Sequence, residues 1–571
     1  MTEPAIPGLT RHYVTVGQRQ LHYRRAGSGP PLLALHRLPR SSQDLEPFIQ
    51  AASKQFTVIA PDMAGYGQSF ALDEPADNLD PLCDDLGALI DALGLNAVSL
   101  YGEQAGAALA LSFAHHAPKR VIALAAWDLD LPGALDLPPS ATAPFPPFEP
   151  QWDGSHLAWL WAMLREQTAF HPWHTPALNT RVDADMPDPS ELQRRMNQFL
   201  SSGIHGRGYE AGYNAARTFN AQDILRDISC PTLVVARQRY DGLDPWRGVL
   251  PTASDLRKSM ADEQTKGEAQ ALTFLSERRV EANVPPPPQV ASIPGVLWHD
   301  YVSIDGGQLH FQCNADVETV PLLVQHDAAS SIGTVEPITQ SFVGKRSVFA
   351  FDMPGSGCSD RIISTDGIEM DVYADVLAGG LGQLGLDQID FYGMWGGGFV
   401  GLELALQNPS QVRRLIMSNV FEHTKAEQTE LIANYTPDVS PVWHGGHLMQ
   451  CWHQMRDQGI YYPWFKRDRT GVIWREPFLA TDMVHERVCS LLKAGNMYRT
   501  AYHAHFTYPT YDRLSQTPVP TLLATSEWDP NNPHTRSAAD AAPACKFQIL
   551  DEDFYMWGES FLPFLEADRP V

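Results

Sequence analysis

Two glycine-rich turns in this chain have the spacing of a strand-to-helix corner that presents a catalytic nucleophile, but neither carries a nucleophile. They lie at residues 102–106, with the sequence GEQAG, and at residues 393–397, with the sequence GMWGG. In the pattern G-x-S-x-G, the central serine attacks a carbonyl carbon. Gln104 and Trp395 occupy that position here, and neither an amide nor an indole can make this attack. The residues therefore predict the corner and argue against its usual covalent chemistry.

The two corners resemble the nucleophile turn of the α/β-hydrolase superfamily, and this resemblance implies an acid after a late strand and a histidine after the last strand, which are only partly present here. Asp529 follows the strand-like run 521–524 and stands where the acid is expected, and Asp241 is its counterpart after the run 232–235. Either carboxylate could act as a general base if burial raised its pKa, and a helix-capping role is the alternative. A histidine should follow the last strand, but Asp553 and Tyr555 stand there instead and could replace its proton-transfer role.

These residues belong to an internal repeat. Tyr13, His36 and the segment 62–69 (DMAGYGQS) recur as Tyr301, His326 and the segment 352–359 (DMPGSGCS), at offsets of 288–290. In each copy, buried-strand runs alternate with amphipathic helical stretches, which predicts a parallel sheet covered by helices on both faces.

The repeat predicts two domains, at 1–280 and 299–571, joined by a proline-rich linker at 281–298. Helical caps are expected at about 128–225 and 420–510. Copy one reads as helix from beyond Asp241 to Arg279, so its last strand is predicted to be lost.

These motifs, in this order and present twice, resemble the α/β-hydrolase superfamily. The stretch 35–42 (LHRLPRSS) is similar to a bacterial subgroup in which the serine at the corner is often replaced. The resemblance implies two tandem α/β-hydrolase-like domains, each a mostly parallel, doubly wound sheet with a helical cap.

The expected site residues lie around the corners and on the caps. His36 and His326 follow the third strand of each copy, where they either take part in catalysis or brace the loop, and Gln104 either donates hydrogen bonds or fills space. Trp395 would offer a ring for stacking. Met394, which precedes Trp395, and Glu103, which precedes Gln104, are expected to help bind the substrate. The cap residues form a second repeat, which predicts either a pocket roof or packing of the cap on the core. They are His156, Trp161 and Arg165 in copy one, and His447, Trp452, Arg456 and Trp464 in copy two.

The composition restricts the kinds of partner and site that are expected for this chain. The net charge of −25 disfavours nucleic acid and anionic membranes, because both would repel the chain. The seven cysteines are far apart and form no C-x-x-C pair, so neither a metal site nor a disulfide framework is indicated. No apolar run is long enough to span a bilayer, and a cytoplasmic location without cofactors is expected. The two domains are expected to contact each other, and a homodimer remains open.

Two functions fit these residues. The first is an enzyme that uses acid–base and electrostatic catalysis, of lyase, isomerase, cyclase or hydrolase type, on a small hydrophobic or aromatic carbonyl compound. In that case copy two is the better candidate, because it keeps Asp529 and a complete set of strands. The alternative is a catalytically inactive protein that binds a ligand or acts as a scaffold.

Overall fold

The computed structural model describes residues 6–129, 147–170, 173–182, 184–201, 209–238, 255–364 and 369–567. The chain divides into two compact units, Met1–Ala291 and Ser292–Val571, which we call unit 1 and unit 2. The division falls inside the predicted linker, and the preceding prolines belong to unit 1, where Arg25 donates a 2.6 Å hydrogen bond to the Pro285 carbonyl oxygen.

Among the described residues, each unit contains one eight-stranded sheet. The strands of unit 1 are β1 Thr10–Val16, β2 Arg19–Ala26, β3 Pro31–Leu35, β4 Thr57–Pro61, β5 Val98–Glu103, β6 Val121–Trp127, β7 Thr232–Arg237 and β8 Leu256–Ala261. The strands of unit 2 are β9 Trp298–Ile304, β10 Gly307–Asn314, β11 Leu322–Gln325, β12 Val348–Phe351, β13 Ile389–Met394, β14 Val412–Ser418, β15 Thr521–Ser526 and β16 Lys546–Leu550.

The two sheets have the same strand order. It is β1-β2-β4-β3-β5-β6-β7-β8 in unit 1 and β9-β10-β12-β11-β13-β14-β15-β16 in unit 2. The first hairpin and its junction with the fourth strand are antiparallel, and the remaining pairs are parallel. The predicted fold class is therefore confirmed.

Helices connect these strands. In unit 1 they are α1 Glu46–Ala52, α2 Asp80–Ala92, α3 Ala105–His116, α4 Ser155–Ala169, α5 Pro189–Leu200, α6 Tyr209–Thr218, α7 Ala221–Asp227 and α8 Gln264–Ser276. In unit 2 they are α9 Ile332–Ser341, α10 Met370–Gln383, α11 Gly396–Gln407, α12 Lys425–Asn434, α13 Gly446–Asp457, α14 Thr481–Ala494, α15 Met497–Thr507, α16 Thr510–Leu514, α17 Asn532–Ala541 and α18 Trp557–Leu565. Helices α4–α7 and α12–α16 are inserted between the sixth and seventh strands of their sheets and form the caps.

The prediction that copy one lacks its last strand is wrong. Strand β8 pairs in parallel with β7, and Thr232 lies opposite Leu256 in the register. Its sequence, LRKSMA, has no buried apolar run, because only Ala261 of its six residues is buried. An edge strand with charged side chains lacks the apolar run by which inner strands are recognised.

Both predicted corners are present and have a strained backbone. Gln104 has φ 49° and ψ −110°, and Trp395 has φ 45° and ψ −126°. Residues other than glycine rarely adopt a positive backbone φ, and such a conformation costs about 1–3 kcal/mol per residue. The corner is tight because a Cβ on Gly106 would lie 2.3 Å from the Leu35 carbonyl oxygen. The turn thus keeps the geometry that exposes a central side chain, although that side chain is an amide or an indole.

No described helix combines the length and the apolar character needed to cross a membrane.

Candidate functional site

The carboxyl ends of three neighbouring strands of unit 2 bring the candidate residues together. Strand β13 leads into Trp395, β14 into Asn419, and β15 into the turn that contains Asp529. The Trp395 amide donates to the Ser418 carbonyl oxygen at 2.8 Å, and the Asn419 amide donates to the Ala524 carbonyl oxygen at 2.9 Å. Open α/β sheets bind ligands at this edge.

Asp529 is the acidic group of this edge, and only 4% of it is exposed. Its carboxylate accepts a 2.8 Å hydrogen bond from the Asn531 amide, and it also interacts with the Trp395 indole N–H. Burial raises the pKa of Asp529 to about 6, although both N–H donors and the Arg475 charge act to lower it. A carboxyl group with this pKa can exchange a proton near neutral pH.

Several buried polar atoms at or just after the carboxyl ends of β14 and β15 have no hydrogen-bond partner among the described residues. Asn419 is fully buried, and neither its amide nitrogen nor its amide oxygen is paired. Ser526 Oγ and Asn531 Oδ1 are buried and unpaired as well. Because buried polar groups are almost always hydrogen-bonded, these atoms indicate a place where a ligand or an ordered water binds.

Aromatic residues of the cap form the other side of the site. The Tyr435 and Tyr502 rings lie 5.1 Å apart, and the Trp464 indole N–H donates to the Tyr435 carbonyl oxygen at 2.9 Å. Burial raises the pKa of both Tyr435 and Tyr462, and the negative charges of Asp327 and Asp529 add to the rise. Phenols near a buried carboxylate can donate hydrogen bonds to a developing oxyanion.

Arg475 adds a cation to this group. Its guanidinium lies 3.8 Å from the centre of the Trp528 ring and 3.9 Å from that of Phe478. Its Nε and Nη1 atoms are buried and have no hydrogen-bond partner among the described residues. Burial lowers the pKa of Arg475 to about 10.

His505 is a residue that the sequence reasoning missed. It lies on cap helix α15, 1% of its side chain is exposed, and its Nδ1 is 3.1 Å from Asp327 Oδ1. The Gly396 amide donates to the same carboxylate oxygen at 3.1 Å. The residue after the corner is Ala105 in one copy and Gly396 in the other. This difference indicates extra space at the corner of unit 2, but it does not point to His505.

His36 and His326, which follow the third strand of their sheets, are both fully buried. Nδ1 of each donates to the carbonyl oxygen of the next residue, at 2.9 Å for His36 and 2.7 Å for His326. Nε2 of each accepts a backbone N–H, from Met63 at 3.0 Å and Met353 at 2.9 Å. With both ring nitrogens occupied by the backbone, the geometry favours the bracing role over the catalytic one.

The histidines predicted for the pocket roof also bind backbone. His156 Nδ1 accepts the Gln151 amide at 3.0 Å, and His447 Nδ1 accepts the Val442 amide at 3.2 Å. The neighbouring tryptophans are buried and the two arginines are half-buried; they are Trp161, Trp452, Arg165 and Arg456. This arrangement favours packing within the caps. Trp464, another of the predicted cap residues, contacts Tyr435 through its indole N–H and its ring.

The residues predicted to replace the missing histidine are less well placed. Asp553 is exposed in the turn after β16. The Tyr555 side chain and the whole of Asp241 lie outside the described residues. Met394, at the end of β13, is buried in the hydrophobic core of unit 2, so its side chain packs there.

Unit 1 has a different set of contacts at its corner. Gln104 Nε2 donates to Asp128 Oδ2 at 2.9 Å, and Arg237 donates to the same oxygen at 3.2 Å. Replacing Gln104 with alanine is expected to lower the free energy of unfolding by about 1 kcal/mol, because Asp128 loses a neutral donor but keeps Arg237. Urea unfolding of the full chain measures this, and an increase in stability would show that relief of the positive φ outweighs the hydrogen bond.

Glu103 lies beside this corner and is fully buried. Its carboxylate accepts hydrogen bonds from Arg37 at 2.6 Å and from Tyr101 at 2.9 Å. Burial raises the pKa of Glu103, and burial together with the Glu103 charge raises the pKa of Glu268 to about 7. The predicted substrate-binding role of Glu103 therefore competes with a structural ion pair.

Among the described residues, one group could supply three metal ligands: His310, Asp352 and Cys358, whose donor atoms lie within 4.8 Å of one another. His310 Nδ1 and the Cys358 amide already bond to Asp352 Oδ2, at 2.7 and 2.8 Å. Unit 1 has the same pairing between His22 and Asp62, at 2.8 Å, with Gln68 in the place of the cysteine. The repetition favours a structural role.

The profile of the alpha/beta hydrolase fold family matches residues 30–269 and 329–439, which is more than half of the chain and includes both corners. The chain belongs to the alpha/beta hydrolase fold family. A soluble epoxide hydrolase of a Corynebacterium species is 36% identical over 109 residues, which are 19% of this chain and 37% of that protein. A fluoroacetate dehalogenase of a Burkholderia species is 26% identical over 250 residues, which are 40% of this chain and 77% of that protein.

Among solved structures, the enol-lactonase of Burkholderia xenovorans is 14% identical with a TM-score of 0.36. The comparison covers 47% of this chain and 96% of the enol-lactonase. The chain spans about a third of the length of the curated relatives that it matches first.

Proposed function

We propose that unit 2 is an enzyme that acts by acid–base and electrostatic catalysis, without a serine nucleophile, on a small aromatic or other apolar carbonyl compound. The reaction is of isomerase, lyase or cyclase type, and its central step is proton transfer at a carbon next to the carbonyl group. One observation carries this proposal: at the position of the nucleophile stands Trp395, whose indole interacts with the buried carboxyl group of Asp529.

The surroundings of Asp529 support this chemistry. The pKa of about 6 allows the carboxyl group to take up and return a proton near neutral pH. Tyr435 and Tyr462 lie within its electrostatic range and can donate hydrogen bonds to an enolate oxygen. The Trp464 and Tyr435 rings give an aromatic ligand flat surfaces to pack against, with centroids 6.4 Å apart. The relatives, an epoxide hydrolase and a fluoroacetate dehalogenase, are in keeping with a small-molecule substrate.

The test uses 2-tetralone, a small aromatic ketone with acidic C–H bonds beside its carbonyl group. Proton NMR in deuterium oxide follows the exchange of these protons for deuterium. We expect the full chain to catalyse the exchange and D529N to lower the rate by about 100-fold or more, the usual contribution of a general acid or base. D387N, which alters an exposed carboxylate, is the control and should leave the rate unchanged. Equal rates in D529N and the unmodified chain would refute the role of Asp529.

A second prediction concerns the absence of covalent catalysis. A fluorophosphonate probe, which forms a stable bond with an activated serine, is expected to label no residue of the full chain, because the corners hold Gln104 and Trp395. Intact-mass spectrometry measures the labelling. Stoichiometric modification of one serine would restore a conventional acyl-transfer mechanism.

A non-catalytic, ligand-binding role is the second candidate. In this fold the amide after the corner normally helps to bind the oxyanion, whereas the Gly396 amide donates to Asp327. Mass spectrometry of the purified protein would favour this role if it found a retained aromatic ligand while the exchange of 2-tetralone stayed at the background rate.

A further inference from the structure

Unit 2 has no histidine after its last strand, but a cap histidine, His505, lies near the corner. His505 reaches the corner from helix α15 rather than from the loop after the last strand, and its side chain is 1% exposed. Its Nδ1 lies 3.1 Å from Asp327 Oδ1, yet neither ring nitrogen makes a well-aligned hydrogen bond among the described residues. Catalytic contacts are often loose before substrate binds. A buried imidazole with a carboxylate beside it and a free nitrogen is poised to exchange a proton.

The backbone leaves space for the His505 imidazole at Gly396. A Cβ on Gly396 would lie 1.9 Å from His505 Nδ1, far inside van der Waals contact. Gly396 has an ordinary negative φ, so its backbone conformation does not require glycine. The absence of a side chain therefore serves the approach of His505.

Unit 1 shows what the same place looks like without the histidine. The residue after its corner is Ala105, the counterpart of Gly396. Alignment of the tyrosine pair 209 and 213 with the pair 498 and 502 places Ala216 opposite His505. The counterpart of Asp327 is Arg37, which donates to Glu103 at 2.6 Å. Three positions differ together, so the histidine, its carboxylate and the space for its ring occur as a set in unit 2.

We propose that His505, paired with Asp327 and admitted by Gly396, is the second proton-transfer residue of unit 2. This role rests on the function proposed above. His505 would remove the proton from the carbon beside the carbonyl: the C–H bond breaks, an N–H bond forms on the imidazole, and the electron pair passes to the carbonyl oxygen as an enolate. The Asp327 carboxylate stabilises the imidazolium, which exchanges its proton with solvent. A solvent-derived proton then returns to the carbon from His505, or from protonated Asp529; in the second case the proton left on His505 passes through solvent to Asp529, so that both groups regain their starting states.

Three variants of the full chain test the role, again with 2-tetralone exchange as the activity. H505Q keeps a polar side chain of similar length and is expected to lower the exchange rate by about 100-fold while leaving the melting temperature nearly unchanged. G396A is expected to lower both the rate and the melting temperature, because its Cβ displaces the imidazole. The double variant G396A/H505A recreates the alanine pair of unit 1, so it should recover the melting temperature of the unmodified chain and remain inactive.

A second readout keeps the result clear if exchange is slow. The probe is 2-naphthol, whose phenol mimics the enol of 2-tetralone, and its dissociation constant is measured by calorimetry. We expect it to shift the imidazole nitrogen resonances of His505, and to bind H505Q about tenfold more weakly than the unmodified chain. A105G, which opens the matching corner of unit 1, should change neither binding nor exchange.

The outcomes separate this inference from the proposed function. If D529N is inactive and H505Q exchanges 2-tetralone at the rate of the unmodified chain, His505 is only structural and the function of unit 2 stands. If the unmodified chain neither exchanges 2-tetralone nor binds 2-naphthol, the proposed function fails, and the role of His505 fails with it. Recovery of both stability and exchange in G396A/H505A would also overturn the role of His505.

Discussion

Replacement of Asp352 with alanine is expected to destabilise unit 2 by about 3–5 kcal/mol, the usual cost of leaving the partners of a buried charge unpaired. Asp352 is 2% exposed and accepts hydrogen bonds from His310 Nδ1 at 2.7 Å and from the Ile332 and Cys358 amides at 2.8 Å. It therefore joins strand β10, the start of helix α9 and the turn after β12. Each donor would lose its acceptor where water cannot readily replace it.

Hydrogen exchange measured by mass spectrometry on the full chain checks this prediction segment by segment. Faster exchange is expected in β10 and at the start of α9, together with a lower urea midpoint. D387A, at an exposed aspartate, is the control and should change little. Asp62 is the counterpart in unit 1, where Ser42 and Gln68 donate to it, so D62A should produce the same local effect there. Unchanged exchange in D352A would mean that water satisfies the three donors.

Asp529 is expected to have opposite effects on stability and on activity. Its folded-state pKa of about 6 lies above its unfolded value of 3.8. Between these values the folded protein binds more protons than the unfolded chain, so the free energy of unfolding falls as pH rises from about 4 to 6. The shift corresponds to about 3 kcal/mol. D529N, which cannot ionise, should therefore be more stable than the unmodified chain by about 2–3 kcal/mol at pH 8, with little difference at pH 3.5.

Urea unfolding at both pH values, followed in the same samples as the exchange of 2-tetralone, measures the two effects together. D551N alters an exposed carboxylate in the turn after β16 and should affect neither quantity. If D529N were less stable than the unmodified chain at pH 8, the ionised carboxylate would be a net stabilising partner of Asn531 and Trp395, and the raised pKa would be wrong.

The fold could be predicted because its signals are local. The repeated D-x-x-G-x-G-x-S segment, the corner glycines and the buried runs that precede them each depend on neighbours in sequence. Strand β8 was missed because LRKSMA carries charges along an exposed edge and lacks the apolar alternation of a half-buried strand. His36 and His326 could be identified in the sequence as candidates, but the two backbone contacts that each imidazole makes in the structure are what indicate that it braces the loop.

The site was harder to predict because its parts come from distant segments. The approach of His505 to Gly396 and Asp327 depends on how the cap folds over the sheet, and no spacing in sequence reveals it. The raised pKa of Asp529 likewise depends on its burial in the folded chain, which the sequence around it does not show. The position of the corner was correctly predicted, whereas the groups facing it could be assigned only from the three-dimensional arrangement.

The charged side chains that made strand β8 hard to recognise in the sequence also oppose aggregation. Among the described residues, β8 and β16 are the final strands of their sheets, and such strands can pair with a strand of another molecule. Lys546 begins one of them in an exposed position, and Arg257 is exposed on the other. Bringing two such strands together would desolvate these cations, so each sheet ends in a built-in barrier to aggregation.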